Sequence, residues 1–395
     1  MAEKKDKAGK QGKAEKEISV EEKLALIKRN TEEILGEEEL VELLKKGEKI
    51  KHYIGFEISN RPHIGHGLVC MAKVKDFMDA GADCSIFLAD WHSWINDKLG
   101  GNLDTIKKVG VPYFKECIIA AFKAVGGDEK KLKFVLGSDL YSNNDLYWLT
   151  LIDISKNTSL SRVLRSITIM GRKEGESLDF AKLIYPPMQV ADIFIQDVNL
   201  AHGGLDQRKA QVIARDVGDK LSFKFLTDSQ GNQIKPVAVH SHLILGLQKP
   251  SVWPVPKENL QEFRAQMKMS KSVPNSAIYM DDSEEEIRTK INKAFCLEGE
   301  IEYNPILDWC KYMIFGIGKN PKLDVKRPVK FGGNKIYSNF GDLEKDFAEK
   351  KLHPMDLKGA VAEKLIEILK PAIEHLKSPR VKKMKEEMDK LIVTR

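Results

Sequence analysis

Two short polar segments of this 395-residue chain have the residue types and spacing needed to hold a polyphosphate. Pro62-His63-Ile64-Gly65-His66 lies between a β-prone run and a helical one. A helix N-terminus at that point would offer free N–H groups and the positive end of the helix dipole to an anion. Gly65 lets a bulky group approach the backbone. The imidazoles of His63 and His66, three residues apart, can each donate to a phosphate oxygen. About 200 residues later, Lys268-Met269-Ser270-Lys271-Ser272 sets two lysines and two serines in a polar stretch. That composition suits a clamp on the charge of a leaving polyphosphate. Read singly, the first segment is equally a pair of surface histidines, and the second an exposed basic loop.

A third array is Tyr185-Pro186-Pro187-Met188-Gln189-Val190-Ala191-Asp192. Gln189 and Asp192 are three apart and Tyr185 is four before Gln189, so on a helix all three share a face. A buried carboxylate at Asp192 would accept a hydrogen bond from a phenol. It would reject an analogue lacking the hydroxyl by a factor of roughly 10⁴–10⁵. Standing alone, the array also reads as a helix start with its polar residues in solvent. Two further segments accompany it: Tyr53-Ile54-Gly55-Phe56-Glu57 before the first turn, and Gly203-Gly204-Leu205-Asp206-Gln207-Arg208-Lys209 after a strand-like run. Nearer the end come Phe331-Gly332-Gly333 and His353-Pro354-Met355-Asp356. By themselves these are a turn and an N-capping Asp before Leu357.

The elements that must position these residues alternate. Residues 20–46 read as helix, broken near Gly36. Ile50 to Ile58 and Cys84 to Ala89 are short apolar strands on either side of a helix from His66 to Ala80, a parallel pair with a crossover. A helix over 105–124, a strand at Phe134 to Gly137, largely helical residues 141–174, a helix-then-strand step from Gln189 and an apolar stretch from Val237 to Leu247 continue the rhythm. This predicts an α/β fold: a doubly wound, Rossmann-type parallel-sheet catalytic domain over 47–282, its ligands at the carboxyl ends of the strands. Ser283 as N-cap with Glu284, Glu285 and Glu286 opens an all-helical C-terminal domain over 283–395. There, Val361, Leu365, Leu369 and Ile373 step along one helix face that Pro371 is expected to kink or end.

Bulk properties exclude several classes. Residues 1–16 carry six lysines and no apolar stretch, so 1–19 is expected to be a disordered tail and not a secretory signal. No apolar run approaches the roughly 18 residues needed to span a bilayer, which excludes a membrane partner. The five cysteines are odd in number and contain no CxxC, the pattern of reduced thiols in a cytoplasmic protein without structural zinc. A net charge of +6 permits a polyanionic partner without demanding one.

Taken together, the HIGH turn and the KMSKS segment resemble the class I aminoacyl-tRNA synthetases. The segments around Tyr53, Tyr185 and Gly203, in this order, resemble the tyrosyl enzymes of the archaeal and eukaryotic type, over about residues 24–376. The resemblance implies ATP as substrate, Mg²⁺, an aminoacyl-adenylate intermediate, tRNA(Tyr) as acceptor and a homodimer. It implies that His63, His66, Lys268 and Lys271 are catalytic, and that Gly65, Asp206 and Ser270 also contact ATP. It implies that Tyr53, Tyr185, Gln189, Asp192 and Gln207 hold L-tyrosine, with Asp192 on the phenol. Phe331, His353, Met355 and Asp356 would meet the anticodon, and Arg208 and Lys209 the acceptor end. The chain departs from the family in a longer 248–267 loop, and in Gln211 where a His is common. Tryptophanyl enzymes and HxGH nucleotidyltransferases are the alternative readings of the ATP motifs, and a non-catalytic RNA-binding relative is a third that the intact HIGH and KMSKS segments disfavour.

Overall fold

The computed structural model describes residues 18–391 apart from 60, 173–174, 256–262, 264–266, 270–273 and 319. Its centre is a six-stranded sheet in the order β1-β8-β5-β2-β3-β4. Five strands are parallel: β2 (Lys51–Glu57), β3 (Asp83–Ala89), β4 (Lys133–Leu136), β5 (Leu200–Gly204) and β8 (Val237–Ser241). Helices cover both faces, as a buried parallel sheet requires. The chain leaves β2 toward β3 and β4 on one side, and later fills β5 and β8 on the other. A crevice therefore opens beyond the carboxyl ends of β2 and β5, the switch point where ligands collect in such sheets.

The N-terminal segment differs from expectation. Helix α1 (Val20–Lys28) and helix α2 (Glu37–Lys45) are separated by β1 (Glu33–Leu35), which pairs antiparallel with β8. Three residues carry little periodic signal, and the free edge of β8 supplies the partner that makes them a strand. Gly36 permits the turn: its φ is +85° and a Cβ there would meet the Arg215 guanidinium at 2.3 Å. The carbonyls ending α1 are capped by the buried ammonium of Lys73, 2.5 Å from Ile27 O and 2.6 Å from Arg29 O, a favourable cation at a helix C-terminus.

Helix α3 (Cys70–Asp79) follows the HIGH turn, and α4 (Asp90–Ile95) continues directly from β3. Beyond these come α5 (Val111–Ala124), α6 (Gly137–Tyr141), α7 (Asp145–Lys156), α8 (Leu160–Ser166), α9 (Ala181–Ile195) and α10 (Arg208–Val217). A two-stranded pair, β6 (Leu226–Thr227) and β7 (Gln233–Ile234), lies before β8. After Asp282 the chain is mostly helical: α11 (Glu284–Lys293), α12 (Pro305–Trp309), α13 (Phe340–Ala348), α14 (Pro354–Leu376) and α15 (Pro379–Asp389). Ser283 and Glu286 form a reciprocal capping box at the start of α11. One antiparallel pair, β9 (Leu323–Val325) with β10 (Lys335–Tyr337), interrupts the helices. Helix α14 does not end at Pro371 but runs through it to Leu376. The burial of Leu365, Leu369, Ala372 and Leu376 on one face outweighs the lost hydrogen bond. Among the described residues no helix is long and apolar enough to cross a membrane, and all five cysteines are free thiols.

Candidate active site

At the base of the crevice, α9 carries Tyr185, Gln189 and Asp192, and β2 carries Tyr53. Asp192 is 1% exposed. Its Oδ1 accepts hydrogen bonds from the hydroxyls of Tyr141 and Tyr147, each at 3.2 Å, and His92 Nε2 lies 3.6 Å from Oδ2. Burial holds the Asp192 carboxyl well above the usual carboxylate range, against the lowering effect of the two phenols. The Tyr53 phenol is buried close by, its ionisation disfavoured first by burial and then by the Asp192 charge.

Tyr185 turns its hydroxyl to Glu57 Oε1 at 2.9 Å, where the Asn96 amide also donates at 2.8 Å. Its ring meets His92 edge-on at 4.5 Å. Gln189 Nε2 donates to Gln207 Oε1 at 3.2 Å, and Gln207 in turn donates to the Ile169 carbonyl at 3.1 Å. The two glutamines, 18 positions apart in sequence, thus form one polar edge of the pocket. Sequence reasoning missed Tyr141, Tyr147 and His92. They arrive from three separate helices, with no local spacing to mark them. The segment Ala89-Asp90-Trp91-His92, running straight from a buried strand into a helix, was the one available signal.

The residues expected to hold phosphate begin with the HIGH turn. The imidazoles of His63 and His66 stack with centroids 4.0 Å apart. A Cβ on Gly65 would press on the His63 ring at 3.0 Å, and one on Gly67 would meet Met280 Sδ at 2.3 Å. The turn therefore packs at backbone distance against the segment that returns from the KMSKS loop. Lys268, the first lysine of that loop, pairs with Asp206 Oδ2 at 2.5 Å. Asp206 also raises the pKa of Cys70 at the start of α3, after the larger effect of burial. The HIGH turn, Lys268 and the GGLDQ turn consequently converge on one groove. Ser270 and Lys271 lie outside the described residues.

The residues expected to meet tRNA are dispersed. Arg208 pairs with Glu33 at 2.8 Å and Lys209 donates to the Arg165 carbonyl at 2.7 Å, so both are engaged within the chain. Phe331 and Met355 are 60% and 53% exposed. His353, not Asp356, caps α14, its Nδ1 accepting the Met355 N–H at 3.2 Å; Asp356 lies in the first turn.

The KMSKS segment is rooted on the chain just beyond β8. Leu245 bridges Lys268, and the Met269 N–H donates to the Ile244 carbonyl at 2.7 Å. That root is gripped in turn by α12: Asp308 accepts from the Leu245 N–H at 2.9 Å and from His242 Nε2 at 2.7 Å. His242 also faces Glu32 at 3.5 Å and stacks on Tyr312. Burial opposes its protonation, but the carboxylates of Asp308 and Glu32 win and raise its pKa to about 9. A folded-state pKa above the unfolded value of about 6.5 stabilises the fold fully below pH 6.5, and that stabilisation is lost as pH rises through 9. His242→Gln is therefore expected to cost on the order of 3 kcal/mol at pH 6 and little at pH 10. Denaturant melts of both proteins at the two pH values check this; a gap independent of pH would refute it.

The fold and this groove are those of class I tRNA synthetases: the model of the family described as tRNA synthetases class I (W and Y) matches residues 45–370. A tyrosine–tRNA ligase of Thermococcus kodakarensis is 56% identical over 360 residues, spanning 91% of this chain and 95% of that one. A tyrosine–tRNA ligase of Pyrococcus abyssi is 55% identical over the same shares. The chain belongs to this family, among its tyrosine–tRNA ligases. The crystal structure of tyrosyl-tRNA synthetase complexed with L-tyrosine from Pyrococcus horikoshii superimposes with a TM-score of 0.91 at 52% identity, covering 94% of this chain and 100% of that one. A tryptophanyl-tRNA synthetase structure from Aeropyrum pernix K1, covered over 91% of this chain and 85% of its own at 17% identity with a TM-score of 0.62, shares the fold alone.

Proposed function

We propose that this chain activates L-tyrosine with ATP to tyrosyl-adenylate and pyrophosphate, then transfers tyrosine to the 3′ end of tRNA(Tyr). The observation that carries this reading is Asp192, a buried carboxylate held by two phenols at the base of the crevice that contains the HIGH turn and Lys268. In the reaction the tyrosine carboxylate attacks the α-phosphorus, and the bond to the pyrophosphate oxygen breaks. No protein nucleophile is required, so catalysis is positioning plus stabilisation of developing charge. Asp192 receives the substrate phenol with Tyr53 beside it, while Tyr185, Gln189 and Gln207 face the α-amino side. His63 and His66, with Gly65 leaving room, hold phosphate oxygens; Asp206 meets the ribose; Lys268, Ser270 and Lys271 take the leaving pyrophosphate. Ammonium groups repel a cation and imidazole nitrogen is a poor ligand for Mg²⁺, which takes oxygen donors, so these side chains fit phosphate rather than that ion. We therefore assign Mg²⁺ to the triphosphate as part of the substrate, its usual place in nucleotide chemistry. ATP–pyrophosphate exchange with each amino acid in turn tests the assignment. Exchange with tyrosine alone is expected, and exchange with tryptophan alone would overturn it.

Residues 47–282 are assigned to activation and 283–395 to the anticodon. Exposed Phe331 offers a ring for a base to stack on, and Asp356, near His353 and Met355, an acceptor for a Watson–Crick edge. Arg208 and Lys209 would meet the acceptor end once released from Glu33 and the Arg165 carbonyl. A second copy of the chain is the natural cover for the apolar face of α7 and α8. Leu146, Leu149 and Ile152 step along α7 at three-residue intervals, Leu160 and Leu164 follow on α8, and all five are exposed. An unpaired patch of this kind on a cytoplasmic protein marks an interface. Ile152→Glu, 58% exposed in the monomer, is expected to halve the mass seen by sedimentation equilibrium without unfolding the chain. An unchanged mass would remove α7 from the interface.

A further inference from the structure

The phosphate-binding turn and the KMSKS loop are distant in sequence, yet a charged cluster outside the reading above ties them together. Arg61, just before the HIGH turn, donates from Nε to both oxygens of Asp281 at 2.8 Å and reaches Asp282 at 3.2 Å. Both acids follow the return of the KMSKS loop and are almost fully buried. Tyr113 of α5 donates its hydroxyl to Asp281 Oδ2 at 2.7 Å. Asp282 Oδ2 accepts the backbone N–H of Tyr279 at 2.9 Å, and Tyr279 forms a β-bridge with His63 itself. Two backbone bonds continue the ladder: Ile64 N–H to the Ile278 carbonyl at 2.9 Å, and Met280 N–H to the Pro62 carbonyl at 3.0 Å. The cluster reaches the C-terminal helices as well. Lys290 of α11 pairs with Asp282 at 2.5 Å, and Lys385 of α15 stands 3.5 Å from Asp281.

We infer that Arg61, acting through Asp281 and Asp282, is a positioning residue for tyrosine activation, locking the phosphate-binding turn to the return segment of the KMSKS loop. This rests on the ligase reading. The reasoning is geometric: two lysines and two imidazoles can stabilise one transition state only if both segments keep their spacing. A half-buried guanidinium held by two almost fully buried carboxylates fixes that spacing more rigidly than a two-bond ladder at the end of a loop. No atom of Arg61 needs to touch ATP. Because Lys290 and Lys385 enter the same cluster, movement of α11 or α15 when tRNA binds would be felt at the ATP groove.

The test is tyrosine-dependent ATP–pyrophosphate exchange by the full chain carrying Arg61→Met. The expected result is a fall in kcat of roughly tenfold to a hundredfold, with KM for tyrosine within about twofold of wild type. Tyr113→Phe, which removes one hydroxyl without changing shape, is expected to show the same split at a few-fold, and serves if Arg61→Met fails to fold. In combination with Lys268→Ala, Arg61→Met is expected to cost much less than the product of the two single effects, because both act on one loop. A kcat at the wild-type value, a tyrosine KM that rises in step with a lowered Tm, or full additivity with Lys268→Ala would overturn the inference. Exchange by the wild type with variants unaffected removes the positioning role alone; no tyrosine-dependent exchange by the wild type removes the ligase reading beneath it.

Discussion

Asp192→Ala is expected to reduce the preference for tyrosine over phenylalanine, measured as a ratio of kcat/KM values in exchange, by at least about a hundredfold. The carboxylate is the acceptor proposed for the substrate phenol, and its removal also leaves Tyr141 and Tyr147 only longer contacts, 3.4 Å to His92 Nδ1 and to the Met188 carbonyl. A buried donor left poorly paired costs up to roughly 1–3 kcal/mol, so the alanine variant should lose stability too. Asp192→Asn separates the two effects. It keeps an acceptor oxygen of nearly the same shape but never ionises. Because burial raises the folded-state pKa of Asp192, the ionised form opposes folding at neutral pH. The asparagine variant is therefore expected to melt at a higher temperature than wild type while still losing selectivity, an example of function held at the expense of stability. A variant that rejected phenylalanine as strongly as wild type would show that Asp192 does not read the phenol.

Lys268→Ala carries the second large effect. Loss of one donor aimed at charge that develops in a transition state costs on the order of 10²–10³ in rate. Burst measurement of pyrophosphate release should show adenylate formation slowed by about that factor, with tyrosine affinity nearly unchanged. Lys268 rests on Asp206 before ATP arrives. Asp206→Asn removes that ion pair together with the carboxylate proposed for the ribose, and should weaken ATP binding more than tyrosine binding. A burst rate equal to wild type in Lys268→Ala would assign the leaving group to other residues. Lys271→Ala is expected to act in the same direction through the same pyrophosphate.

The contrast between α9 and its neighbours explains why the pocket was only half legible. The face bearing Tyr185, Gln189 and Asp192 follows from helical spacing, because residues three and four apart adjoin on any helix. What surrounds that face comes from β2, α4, α6 and α7, whose distance along the chain carries no periodic signal. The dyad of Gln189 and Gln207 and the two phenols on Asp192 are products of packing. The same holds for β1. Its three residues become a strand because β8 has an open edge, and no local propensity foretold it.

By itself, then, the amino-acid order determined the alternation of strands and helices, the two segments proposed to grip phosphate, the change to helices beyond Asp282 and the helix face that carries Tyr185, Gln189 and Asp192. Each of these is written in local spacing or in a short contiguous string. Only the tertiary structure decided that the KMSKS root is held by Asp308 on α12, that Arg61 joins the HIGH turn to the loop's return, and that Asp192 is buried beneath two phenols. Those arrangements join residues that are dozens to hundreds of positions apart. Side chains so separated become neighbours only through sheet order and helix packing, and burial then sets the strength of every charge among them.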